Sequence, residues 1–379
     1  MMKTMNIRIL MITAFFAVML MGCSSNGTIE EIVQEEVPIE FSSSANKSTR
    51  AAINSIEDLA KAGGFDVWGY KAKTASEMDW TNGWYNVFKE TNVKAVNTSD
   101  VEYSAPDTEN KTDATKWTYD EKRYWDKMCT YAFYAAAPTG AGFAFVSGDN
   151  QADSGSKLFK ISGVTGGASD AEGTKDLLIS RQVVIRNGAE NTWQNVDFTF
   201  HHIMSKVQVK FATQINNAKV TVKAIEMTGW DAAPYTFTQN ANYELGATTS
   251  DKKDSWERSG NDQAGTASFL KASETAVELK AKTENGTTNI VGEPSRSYLM
   301  VPQAVSSLKF KVTYTIEYTE ADGTKITDTF TGVEATLGAQ TWATDCVTTY
   351  TLNIQPTSIR FSVSSVAWSG NSNSTVIVQ

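Results

Sequence analysis

Residues 308–317 read LKFKVTYTIE, and after a short polar stretch Asp322-Gly323 leads into TKITDTF at 324–330. Leu308, Phe310, Val312, Tyr314 and Ile316 alternate with lysine and threonine, which is the period of a strand with one buried face. Asp-Gly tolerates the left-handed backbone of a tight hairpin, so the stretch predicts two antiparallel strands. The same short-segment pattern extends along the chain in both directions. FDVWGY at 65–70, YAFYAAA at 131–137 closed by Pro138, DLLIS at 176–180 and DFTFHHIMSKVQVKF at 197–211 read as strands. At 219–227 Val220, Val222, Ala224 and Met227 alternate imperfectly, and the chain closes with strand-like runs at 350–354, 359–368 and 375–378. Near the start, Ile39 and Phe41 flank Glu40 as in a half-buried strand. Ser55 with Asp58, then Ile56, Leu59 and Ala60 ahead of Gly63-Gly64, predict one short helix. Gly-, Asn- and Asp-rich stretches, above all 140–167, read as loops. The expectation is an all-β protein: two β-sandwich domains of transthyretin-like, Greek-key type in tandem, with short helices in loops, at 38–211 and 212–379.

Ahead of these domains, residues 15–24 read FFAVMLMGCS. Lys3 and Arg8 precede an apolar run at 9–21 that is too short to span a bilayer, and Leu20-Met21-Gly22-Cys23 resembles a bacterial lipobox. The expectation is a signal peptide at 1–22, cut between Gly22 and Cys23. Cys23 then becomes the lipidated N-terminus of an outer-membrane protein. Residues 23–37, with TIEEIVQEE at 28–36, read as a solvated acidic tether.

Composition removes several classes of function. With 43 acidic against 34 basic residues the formal charge is -9, and no concentrated basic face is visible, so nucleic acid is not an expected partner. Cys129 and Cys346 stand far apart without CxxC spacing, which excludes a zinc or redox motif and leaves their pairing open. The only histidines, His201 and His202, are neighbours, and in a strand they point to opposite faces and cannot share one metal. No nucleophile elbow, phosphate loop or dinucleotide fingerprint is present. No catalytic residue, metal ligand or cofactor is therefore assigned. Two carboxylates from different strands facing each other remain formally open as a glycosidase pair. Among the ten tryptophans, Trp68, Trp125, Trp193 and Trp368 lie in or beside strand patterns and are expected to pack inside. Trp80 and Trp84 lie in a Gly-containing loop and are the candidate glycan contacts.

The order of these segments resembles the fimbrillin family, Mfa-like branch, the lipoprotein precursors of type V pili. The resemblance is carried by the lipobox, PIEFSSS at Pro38, STRA around Arg50, FDVWGY, YAFYAAAP, KDLLIS, DFTFHHIMSKVQV, SYLMVPQ at Ser297 and SVSSVAW at Ser362. It implies a subunit exported as a lipoprotein and cut after Arg50, so that the mature chain begins at Ala51. It further implies that losing the first strand opens a groove, which a C-terminal strand of the next subunit fills. Residues 359–379 hold the candidate donor strands, with Val376 and Val378 in the last of them. Implied partners are other pilus subunits, the outer membrane through the lipid, and a host or bacterial surface glycan or protein receptor, in adhesion or biofilm formation. A glycan-binding surface lipoprotein and a glycoside hydrolase are the alternatives. Because few residues follow Trp368, the tail either swings out as a two-strand donor or donates nothing, as in a tip subunit.

Overall fold

In a computed structural model the described residues are 37–45, 53, 56–72, 85–95, 117–127, 129–146, 158–169, 175–181, 183–186, 195–240, 254–284, 287–356, 358–367 and 373–377. The chain is all-β, with a single described helix, Ile56–Lys61. Leu59 anchors that helix in the core, and Gly63 and Gly64, at φ of +90° and +89°, end it. A Cβ on Gly64 would stand 2.0 Å from the Val93 carbonyl oxygen, so only glycine lets the chain turn here against the neighbouring strand.

The first sheet runs in the order Phe41–Ala45, Val196–His202, Leu178–Ser180, Thr130–Ala137, Phe65–Ala72, Tyr85–Ala95 and Trp117–Thr118. Its central strand Thr130–Ala137 is buried at every residue because both faces of the sheet are covered. Tyr131, Phe133, Ala135 and Ala137 join one core with Ile39, Phe41, Leu59, Phe198 and Phe200. Ala132, Tyr134 and Ala136 join another with Ile161 and Phe237, which come from a four-stranded sheet built on Leu158–Val164 and Tyr235–Asn240. That sheet corrects the loop expectation for 140–167, since Ala144–Val146 and Leu158–Val164 are strands within it. Glycine-rich flanks concealed two short apolar pairings.

The C-terminal sandwich pairs two sheets. One runs Lys280–Glu284, Thr287–Gly292, Ser205–Thr213, Cys346–Ile354, Ile359–Ala367 and Asn373–Ile377. The other runs Ala264–Leu270, Ala218–Asp231, Leu308–Thr319 and Lys325–Leu337. Val207, Val209, Phe211, Tyr350 and Leu352 of the first meet Val220, Val222, Phe310, Val312, Tyr314 and Ile316 of the second in one core. The imperfect alternation at 219–227 has a cause: a register shift between Val222 and Ala224 moves the buried phase from Val220 and Val222 to Ile225 and Met227.

The run 197–211, expected to be one strand, is two. Val196–His202 belongs to the first sheet and Ser205–Thr213 to the C-terminal sandwich. Residue 211, where the sequence divides into its two expected domains, lies inside the second of these strands. Ile203 and Met204 between them are 1% exposed, so the chain changes sheets without leaving the apolar interior, and no polar residue marks the break. Their backbone groups find partners there: Ile203 N donates to Leu177 O, and Met204 O accepts from Asp345 N.

Candidate assembly site at the edge of the first sheet

The leading segment, residues 37–45, occupies a slot. On one side, Ile39 N donates to Arg123 O at 2.8 Å and Trp125 N donates to Val37 O at 3.0 Å. On the other, Val196 N donates to Glu40 O at 2.9 Å, and Phe41–Ala45 pairs in parallel with 196–200, Phe41 opposite Val196 and Ala45 opposite Phe200. Alternation then decides the side chains: Glu40 is exposed while Ile39 and Phe41 are 0% and 5% exposed. Phe41 sits in an aromatic cage, with ring centroids 5.2 Å from Phe88, 5.5 Å from Tyr119, 6.1 Å from Phe133 and 5.7 Å from Phe198. Burying side chains of this size contributes about 1.5–3 kcal/mol each.

Tyr119 closes the slot. Its hydroxyl donates to Ile39 O at 2.7 Å, and burial pushes its pKa above the ordinary tyrosine value. The fit is incomplete further along: the hydroxyl oxygens of Ser42 and Ser43 are buried and have no hydrogen-bond partner. A buried unpartnered hydroxyl costs about 1–3 kcal/mol, so the segment is strongly held at Ile39 and Phe41 and poorly matched beyond them.

The chain just downstream is held separately. Ile53, 7% exposed, donates its N–H to Asp176 Oδ2 at 2.9 Å, and Asp176 Oδ1 lies 2.9 Å from His202 Nδ1. Lys206 is buried nearby; burial lowers its pKa while the Asp176 carboxylate opposes that shift. A buried carboxylate with a histidine, a lysine and a main-chain donor around it is compensated rather than reactive. The histidines do face opposite ways, His202 inward and His201 outward, 3.9 Å from Asp345. Sequence reasoning missed Tyr119 and Arg123 as partners of Ile39 and Asp176 as the partner of Ile53, because nothing local marks contacts that span from 80 to more than 120 residues.

At the opposite end of the chain, Ile359–Ala367 pairs antiparallel with Cys346–Ile354 on one edge and with Asn373–Ile377 on the other, Val363 opposite Val376. Ile359 and Phe361 are half-buried against the sandwich core, Phe361 lying 5.3 Å from Phe310. Farther along the same strand Val363 and Ser365 border an open cavity of about 510 Å³, lined also by Val305 and Thr348.

Of the residues singled out by sequence, Gly22, Cys23, Arg50, Ala51, Trp80, Trp84 and Val378 lie outside the described residues. Trp68 and Trp125 are buried, as expected for packing; Trp193 and Trp368 also lie outside. Cys129 and Cys346 are not joined by a disulfide. Among the described residues no group of three or more His, Cys, Asp or Glu side chains is placed to hold a metal, and no helix is long and apolar enough to cross a membrane.

A slot built from main-chain groups and aromatic pockets, with no reactive constellation beside it, suits the binding of a strand. The solved structure of a fimbrial protein from Bacteroides vulgatus aligns over 87% of this chain and 99% of its own, at 16% identity and a TM-score of 0.54, which speaks to the fold. The fimbrial anchor protein Mfa2 from Porphyromonas gingivalis aligns over 88% of this chain and 98% of its own, at 8% identity and a TM-score of 0.28. No curated protein matches in sequence. The model of the fimbrillin-like family matches residues 49–368, most of the chain from the downstream side of the slot to the closing strands, and the chain belongs to that family.

Proposed function

We propose that the chain is the precursor of a cell-surface fimbrial subunit, held in the outer membrane through lipidated Cys23 and assembled by donor-strand exchange after cleavage between Arg50 and Ala51. The observation that carries this reading is the seat of the leading strand. It lies at a sheet edge, upstream of Arg50, and fills an aromatic core that the rest of the chain leaves open to it. Its departure would free Arg123 O, Trp125 N, Val196 N and the Tyr119 hydroxyl and expose the rings around Phe41. Main-chain groups and apolar pockets together are a template for another strand. Residues 359–379 of a neighbouring subunit supply it. Meanwhile the bond from Ile53 to Asp176 keeps the downstream side of the cut in place. Adhesion or biofilm formation follows from surface display of the polymer, with other subunits as partners and a surface glycan or protein as receptor.

The test is the mature N-terminus, read by mass spectrometry on assembled surface material. It should be Ala51, and Arg50→Ala should accumulate the longer form and remove the high-molecular-weight ladder from unheated gels. Polymer whose subunits begin at lipidated Cys23 overturns the cleavage step and favours an anchor or a non-pilus role.

A further inference from the structure

The chain passes from the first sheet into the C-terminal sandwich through His202-Ile203-Met204-Ser205-Lys206, and each of these residues is at most 5% exposed. One dipeptide, Asp176-Leu177, grips this crossing at several points. Asp176 Oδ1 lies 2.9 Å from His202 Nδ1, and the Leu177 carbonyl accepts from Ile203 N at 3.0 Å. Burial lowers the Lys206 pKa, and the Asp176 carboxylate opposes that shift, so its field reaches the far end of the crossing. From the side of the C-terminal sandwich, Asp345 N donates to Met204 O at 3.2 Å, just ahead of Cys346–Ile354. A carboxylate, an imidazole and an amine are tolerable in an apolar interior only while their mutual contacts hold.

The second oxygen of the same carboxylate serves a distant part of the chain. Asp176 Oδ2 accepts the N–H of Ile53 at 2.9 Å, across 123 residues. Ile53 is 7% exposed and packs in the core that holds Ile39, Phe41 and Leu59. Asp176 therefore has one oxygen on a segment that enters the first core and the other on the crossing that leaves the first sheet. Its side chain is only 5% exposed, so bulk water does not replace a donor that departs. The carboxylate regains a partner by moving, and through His202 and Leu177 the crossing moves with it.

We propose that Asp176 is a coupling post, through which the docking of Ile53 tightens the crossing between the first sheet and the C-terminal sandwich. With Ile53 docked, both carboxylate oxygens are engaged and the crossing is held at His202, Ile203 and Lys206. Undocking Ile53 leaves a buried charge one donor short, and the crossing loosens. Coupling of this kind is reciprocal, so a disturbed crossing weakens the hold on Ile53 by the same factor. The device belongs to the full chain whether or not it is cut after Arg50, and it stands apart from the strand-exchange reading.

Ile53→Pro in the full chain tests the coupling, because it removes the main-chain donor and keeps an apolar side chain at 53. Hydrogen exchange, read by mass spectrometry on peptides covering 202–207 and 344–348, should quicken about tenfold, an ordinary size for coupled sites. Exchange over 308–316, in the C-terminal core, should stay constant. Unchanged or slower exchange at the crossing overturns the proposal. Quickening shared by 308–316 overturns it too, since the effect then belongs to the whole fold. Lys206→Met is the second variant and runs the test in reverse. It disturbs the crossing and leaves Ile53 and Asp176 in place, so the Ile53 amide should exchange faster by a similar factor. An Ile53 amide that exchanges as in the parent chain counts against the coupling.

Discussion

The leading strand and the closing strand both lie toward sheet edges, yet they are held by opposite means. Phe41–Ala45 has one parallel neighbour and short flanking bonds, but its two large side chains are almost wholly enclosed. Ile359–Ala367 has antiparallel neighbours on both edges, but most of its side chains are half-exposed. Main-chain pairing accepts almost any sequence, whereas pockets accept particular side chains. The difference teaches that the N-terminal slot selects its occupant by sequence, while the C-terminal sheet edge holds its strands largely by ladder.

The largest effect should come from emptying the cage. Phe41→Ala removes a fully enclosed ring and is expected to cost about 3–5 kcal/mol, whereas Phe361→Ala, at a half-buried site, should cost about 1–2 kcal/mol. Urea unfolding of the two variants measures both, and equal losses would break the contrast between pocket and ladder.

A second test addresses the C-terminal core behind the closing strands. Tyr350 is 0% exposed and burial pushes its pKa up to about 12, opposed by the Trp342 indole, which donates to its hydroxyl at 2.9 Å. A raised folded pKa favours the neutral phenol, so this stabilisation is complete below the unfolded value near pH 10 and drains as pH rises toward 12. At about 1.4 kcal/mol per unit the loss amounts to roughly 2–3 kcal/mol. Unfolding free energies measured between pH 9 and 12 should fall less steeply in Tyr350→Phe. An unchanged slope would show that this phenol does not drive the alkaline loss.

The smallest effect sharpens the slot itself. Tyr119→Phe keeps the ring beside Phe41 and deletes the hydroxyl's 2.7 Å bond to Ile39 O together with its longer contacts to Arg123 N and O, at a cost of about 1 kcal/mol. Amide exchange should quicken at residues 39–45 and stay constant at 346–354. Uniform quickening would mean that Tyr119 serves the whole core rather than the leading strand.

Much of this architecture was legible in the chain. Alternation found the hairpin at 308–330 and the burial of Ile39 and Phe41 on either side of exposed Glu40, and the continuous apolar run at 131–137 follows from a sheet covered on both faces. Other features were hidden for physical reasons. The break at Ile203-Met204 carries no turn residue because the crossing stays inside the core. The bulge after Val222 blurred an otherwise regular pattern, and the strands within 140–167 are short enough for their glycine-rich flanks to dominate. As for the site, the strand was readable and its seat was not. Tyr119, Arg123 and Val196 reach the leading segment, and Asp176 reaches Ile53, from far along the sequence, and no local period records such distances.

The crossing between sheets also sets how the molecule bears load. Ser205–Thr213 enters its sheet from Met204 and runs parallel to Cys346–Ile354 over the full 9 residues of each, Ser205 opposite Cys346 and Thr213 opposite Ile354. A pull arriving at Met204 and leaving beyond Ile354 grips the two strands at opposite ends of their ladder. In that geometry the strands must slide past one another, so every rung along the ladder resists together instead of parting in sequence like a zip. The parallel pairing gives the junction of the chain the geometry of a shear clamp, stiff along the direction of that ladder.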